Sequence, residues 1–147
     1  MIIVVADTSG LLAALDSSHA EHRAAGEAIM AAGLLVMSPL LLAEIDHVAT
    51  RELGRDAALS AVDDIRHWMR RGRVVVPGVT EDHLDTAQSV RARYRALDLD
   101  LADAVNVALA AEYDTDAVLT LDRRDFRAVR PLGRHKAFRL LPDDLPL

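Results

Sequence analysis

Apolar positions along the chain fall into two kinds of run. Short β-branched stretches at Ile2–Ala6, Leu34–Met37, Arg73–Val76, Ala117–Thr120 and Phe138–Leu141 are continuous rather than alternating, the pattern of strands covered on both faces. Between them apolar residues return at intervals of three and four. That spacing predicts helices over Thr8–Leu15, His19–Ala32, Pro39–Leu53, Arg55–Arg71, Glu81–Leu97 and Leu101–Tyr113. The punctuation agrees. Ser38 before Pro39 reads as an N-cap followed by a first-turn proline, and Thr80 precedes the acidic first turn Glu81-Asp82. Gly33, Gly54 and Gly72 fall where helices end and a left-handed residue is wanted. Strands alternating with helices predict an α/β fold with a parallel sheet between two helical layers. No linker or repeat divides the 147 residues, which read as one domain, 1–147.

In such a sheet the ligand site lies beyond the carboxyl ends of the strands. The first strand ends on Asp7, and Asp122 follows the strand "AVLTL". Two acids are therefore expected on one edge. Glu44 interrupts the apolar run "PLLLAEIDHV", with Leu40 and Val48 one turn away on either side. A carboxylate on such a surface either pairs with an arginine or holds a cation, because burying it alone is too unfavourable. In "LDLDLADAVNVALAAEY", Leu101, Ala104, Val105 and Ala108 form a core face, while Asp100, Asp103 and Asn106 make a polar stripe at spacings of three. Asp100 suits the N-cap, accepting from the amide of Asp103. Asp103 has no such structural duty. If Asp7, Glu44, Asp103 and Asp122 converge, their mutual repulsion calls for a divalent cation. Hard carboxylate oxygens favour Mg²⁺ or Mn²⁺ over zinc.

Charge and composition narrow the chemistry. Cysteine is absent, which removes thiol catalysis and zinc–thiolate sites. The N-terminal apolar run is too short for a signal peptide or a membrane span, so a cytoplasmic protein without membrane attachment is expected. The net charge of −6 argues against general nucleic-acid binding by bulk electrostatics. The basic residues are nevertheless clustered arginines, among them Arg123 and Arg124 directly after Asp122, which could grip phosphates beside an acidic site. Aromatic residues make up only 3% of the chain, too few for recognition by base stacking.

Taken together, "ADTSGLLAALD", "SPLLLAEIDHV", "LDLADAVNVALA" and "VLTLDRRDF" resemble the PIN-domain ribonucleases, specifically the VapC toxins of type II toxin–antitoxin pairs. The resemblance runs over nearly the whole chain. It implies a three-layer α/β/α fold with a five-stranded, mainly parallel sheet, and an endoribonuclease using Mg²⁺, with Mn²⁺ able to substitute. Asp7, Glu44, Asp103 and Asp122 match the family's acidic quartet. Ser9 matches the small hydroxyl position beside the first acid, and Asp125 an accessory polar position. Structured RNA, transfer or ribosomal, is the implied substrate. A VapB-like antitoxin is the implied partner, with a homodimer that becomes a heterotetramer or larger assembly once the antitoxin binds. Apolar residues on the third and fourth helices, including Leu40, Leu41, Ile65 and Trp68, are candidates for antitoxin docking, for a dimer contact or for burying one another.

Rival readings meet specific obstacles. A haloacid-dehalogenase-type phosphatase needs a second aspartate two residues after the first, where this chain has Ser9. A response-regulator receiver needs an acidic pair after the first strand, which is missing. A catalytically inert PIN-fold binding module predicts the loss of at least one acid, and none is lost. A housekeeping PIN nuclease differs from a toxin only in what restrains it. His19 and His22 stand three apart without a third metal ligand in view, and His47 lies one turn after Glu44.

Overall fold

The computed structural model describes residues 1–146. Five parallel strands, β1 (Ile3–Ala6), β2 (Leu34–Val36), β3 (Val74–Val75), β4 (Ala117–Leu119) and β5 (Arg139–Leu141), form one sheet in the order β3-β2-β1-β4-β5. The register sets Ile3 beside Leu34, Ala6 beside Leu119, and Leu119 beside Leu141. The sheet is wholly parallel. Seven helices cover it: α1 (Thr8–Leu15), α2 (His22–Ala31), α3 (Pro39–Leu53), α4 (Arg55–Arg70), α5 (Glu81–Arg93), α6 (Leu101–Glu112) and α7 (Arg123–Ala128).

Strand alternation divides the core in two. Val4, Ala6, Leu35, Leu119 and Leu141 face one way, onto Leu11, Ala28, Leu41, Ile45, Ala61 and Ile65 of α1 to α4. Val5, Val36, Val118 and Leu140 face the other way, onto Ala87, Val90, Val105, Leu109 and Phe126 of α5 to α7. Both faces are apolar, which is why the strand sequences run without polar alternation. Among the described residues, no helix is long and apolar enough to cross a membrane.

The local expectations hold where capping chemistry dictates them. The Ser38 side chain accepts from the amide of Leu40, Thr80 from that of His83, and Asp100 from that of Asp103. Gly54 and Gly72 have φ of +97° and +72°. Gly33 does not adopt a positive φ; it lies against the Met1 side chain instead. The strands are each shorter than their apolar runs. The second helix begins at His22 rather than His19, because Asp16 organises a turn in which Ser18 donates from both its amide and its hydroxyl to Oδ1. The fifth stops at Arg93, followed by a 3-10 turn over Arg95–Leu97 and a left-handed Asp98. α7, inside "DRRDFRAV", carries too short an apolar pattern to announce itself.

The apolar residues offered for docking are already employed. Leu41 and Ile65 are each only 2% exposed, and Trp68 and Leu40 pack against the two core clusters. Leu41, Ile65 and Trp68 belong to one cluster and Leu40 to the other, with Leu40 and Trp68 only partly buried. The exposed large apolar side chains on α3 and α4 are instead Leu53, Leu59 and Met69.

Candidate active site

Asp7 sits where β1 ends and α1 begins, 7% exposed. Its amide donates to the carbonyl of Leu119 on β4 at 2.9 Å, and its carbonyl accepts from Leu11 in the first turn of α1. Two hydroxyls converge on one carboxylate oxygen. Thr120 Oγ1 donates to Asp7 Oδ2 at 2.8 Å and Ser9 Oγ at 3.1 Å. Each hydroxyl is oriented from behind by a backbone amide of the β4–α7 turn: Leu121 N–H donates to Ser9 Oγ and Asp122 N–H to Thr120 Oγ1, both at 2.9 Å. The turn that presents Asp122 is thus fastened to the groups that hold Asp7. Thr120 had no place among the sequence candidates. Its signal was a hydroxyl ending a buried strand two residues before an acid.

α1 reaches this position because residue 10 is glycine. A Cβ there would lie 2.6 Å from the carbonyl oxygen of Leu119. Only a bare backbone lets α1 approach β4 so closely.

Asp103 stands in the first turn of α6 behind the Asp100 cap, whose Oδ1 accepts the Asp103 amide at 2.8 Å. Burial pushes its carboxyl up, and the charges of Asp7, Asp100 and Asp122 add to the effect, taking it to about 8. Burial likewise raises Asp7, opposed by its hydrogen bonds to Thr120, Thr8 and Ser9 and reinforced by the charge of Asp122. Asp125, in α7, is raised by burial and then by Asp122, with Arg124 acting against both. Asp7, Asp103 and Asp122 therefore feel one another. Glu44 is half-buried on α3 and lines a shallow concavity with Leu40, Ala43, His47, Asp100 and Leu101. It makes no salt bridge among the described residues, so an arginine does not account for it.

The acids share one edge without forming a closed cage: among the described residues, no three acidic or imidazole groups are gathered closely enough to hold a metal ion by themselves. The donor set still fits a hard divalent cation. Mg²⁺ keeps several waters and takes only one or two protein carboxylates, and a cation would relieve the burial and repulsion now borne by Asp7 and Asp103. Asn106, one turn after Asp103, is 2% exposed, and its Oδ1 is buried without a hydrogen-bond partner among the described residues. An amide so placed forfeits about 1–3 kcal/mol.

The two arginines after Asp122 part company. The Arg123 guanidinium bonds Glu21 at 2.6 Å and both carboxylate oxygens of Asp143, fastening α7 to the start of α2 and to the C-terminal segment. Its charge is spent within the fold. Arg124 is exposed, with no ion pair among the described residues. His19 and His22 serve local structure: His19 Nδ1 accepts the Glu21 amide, and His22 Nδ1 lies 3.0 Å from the Ala13 carbonyl.

The profile of the PIN domain matches residues 4–131. Ribonuclease VapC26 of Mycobacterium tuberculosis is 35% identical over 131 residues, 88% of this chain and 94% of that protein. Among solved structures, VapC20 of M. tuberculosis, described as a toxin that cleaves the sarcin-ricin loop, superposes with a TM-score of 0.73 at 21% identity, over 85% of this chain and 94% of its own. VapBC2 from Rickettsia felis, solved on a DNA fragment from its promoter, superposes with a TM-score of 0.68 at 13% identity, over 95% of this chain and 98% of its own.

Proposed function

The chain belongs to the PIN-domain family, with a VapC ribonuclease as a relative along most of its length, and from that premise we propose a divalent-metal-dependent endoribonuclease that acts as the toxin of a toxin–antitoxin pair. The observation that carries the metal dependence is the burial of the Asp7 and Asp103 carboxyls at the carboxyl edge of the sheet, each also in the field of Asp122. One or two of Asp7, Asp103 and Asp122 would hold Mg²⁺ or Mn²⁺ directly, and the remaining acids, Glu44 included, would act through its bound waters. Bound there, the ion supplies an activated water and charge stabilisation at the phosphorus.

The chain's own groups do the rest. Ser9 and Thr120 fix the Asp7 carboxylate by two donated hydrogen bonds. Burial and the neighbouring charges favour the protonated form of Asp103 while no cation is present, so uptake of a cation would be linked to release of a proton. Arg124, exposed and without an ion pair among the described residues, would meet a phosphate beside Asp122. With few aromatic residues, recognition rests on RNA shape and phosphate contacts, which favours structured transfer or ribosomal RNA. The partner is a VapB-like antitoxin. A guanidinium from it pairs well with a cluster of carboxylates, and a homodimer carrying two such partners gives a heterotetramer or a larger assembly.

The test uses protein freed of any co-purifying partner. It should cut structured RNA with Mg²⁺ or Mn²⁺ and stop in EDTA, and Asp7→Asn should lose roughly a hundredfold or more in rate. Cleavage by Asp7→Asn at the wild-type rate, with an unchanged thermal midpoint, would sink the assignment. Expression should arrest growth alone and be harmless beside the adjacent gene.

A further inference from the structure

The one amide in the core face of α6 has no packing reason to be there. Its neighbours Ala104, Val105, Val107, Ala108, Leu109 and Ala110 are apolar and buried, and Asn106 is as deeply buried as they are. Its single hydrogen bond runs from Nδ2 to the carbonyl of Ala6 at 3.4 Å. That carbonyl belongs to the peptide joining Ala6 to Asp7. The N–H of the same peptide donates to Leu119 on β4. One peptide plane, the one that carries the first acid, is therefore tied on one side to the helix bearing Asp103 and on the other to the strand leading to Thr120 and Asp122.

We propose that Asn106 is a positioning residue that fixes the separation of Asp7 and Asp103 by anchoring the Ala6–Asp7 peptide to α6. The unpartnered Oδ1 fits this role. A leucine or valine would remove the orphaned Oδ1 but would also take its donor from the Ala6 carbonyl. The helix-to-strand tie is what an apolar residue cannot supply. This rests on the metal-nuclease reading above only for its consequence, not for the anchoring.

The experiment compares wild type with Asn106→Leu, similar in shape though larger, and Asn106→Ala, which guards against overpacking. Thermal midpoint, Mn²⁺ affinity by calorimetry, amide exchange at Asp7, and kcat and KM on a structured RNA are measured for each. Positioning groups behind metal ligands typically change affinity or activity by about 10–100-fold. The expected result is a midpoint unchanged or raised by a few degrees in Asn106→Leu, with Asp7 exchange faster by about tenfold or more in both variants. Mn²⁺ affinity and kcat should fall by about tenfold or more, with KM held within about twofold. Unchanged Asp7 exchange in both variants overturns the proposal. So does a loss of Mn²⁺ affinity that merely tracks a falling midpoint, since a packing role explains that. If wild type binds no Mn²⁺ while exchange still quickens in the variants, the metal reading fails and the anchoring stands.

Discussion

Asp103 offers the most direct test of the electrostatics, because the same charge that would serve a cation weakens the cation-free fold. Its carboxyl titrates at 3.8 in the unfolded chain and at about 8 in the native one, through burial and then the charges of Asp7, Asp100 and Asp122. The native pKa is the higher, so the stabilisation is fully present below pH 3.8 and is lost as pH rises toward 8. Each pH unit in which only the unfolded chain has released the proton removes about 1.4 kcal/mol. Between pH 5 and pH 8 that is nominally about 4 kcal/mol. Asp103 is partly open to solvent, and screening brings the expectation to about 1–2 kcal/mol. Urea unfolding in EDTA across this range, for wild type and Asp103→Asn, isolates the effect, because titrations common to both proteins cancel in the difference. The wild type should lose about 1–2 kcal/mol more than the variant, and Asp103→Asn should be the more stable protein at pH 8. Added Mn²⁺ should restore stability to wild type and much less to the variant. Two parallel pH profiles would refute the reasoning.

Thr120→Val removes the 2.8 Å donor to Asp7 and the acceptor of the Asp122 amide; chemical unfolding should show a loss of about 2 kcal/mol, and calorimetry a weaker Mn²⁺ affinity. Gly10→Ala places a methyl 2.6 Å from the Leu119 carbonyl oxygen, so stability should fall by about 1–3 kcal/mol and RNA cleavage with it, whereas Gly26→Ala, with open space around its Cβ, should leave both intact. Arg123→Ala should lower the thermal midpoint by releasing Asp143 and Glu21, about 1 kcal/mol for a network at the surface, with little change in the salt dependence of RNA binding. Arg124→Ala should do the reverse, reducing the salt slope by about 0.7–0.9 with an unchanged midpoint.

Fold and acids were legible for different reasons. A strand buried on both faces has to be continuously apolar, so β1 and β4 announced themselves, and an acid after such a run has no packing explanation. Caps were legible because Ser38, Thr80 and Asp100 satisfy amides within three residues of themselves. What stayed hidden depends on contacts across more than a hundred residues. Thr120 reads as an ordinary strand residue until it meets Asp7, 113 positions away. Gly10 reads as a small residue in a helix until Leu119 is set against it. The two arginines after Asp122 are equivalent on paper, and only the C-terminal segment, bringing Asp143 to Arg123, separates them. α7 was missed for lack of length.

The separation of Arg123 from Arg124 bears on how an acidic protein handles a polyanion. The chain carries a net charge of −6 and gathers several of its carboxylates at the edge where a phosphodiester would have to sit. Of the two cations next to Asp122, one is consumed in holding α7 to the rest of the fold. A phosphate approaching that edge thus meets net negative charge, relieved on this side chiefly by Arg124. If that edge is the nuclease site proposed above, it would accept a phosphodiester only once its carboxylates are neutralised. A divalent cation would do that, and so would a guanidinium of the proposed antitoxin, which predicts that RNA and antitoxin compete for the same charge. Asp7, the acid that ends β1, is the most deeply buried of the group, and its orientation is fixed by Ser9, Thr120 and the peptide that Asn106 anchors.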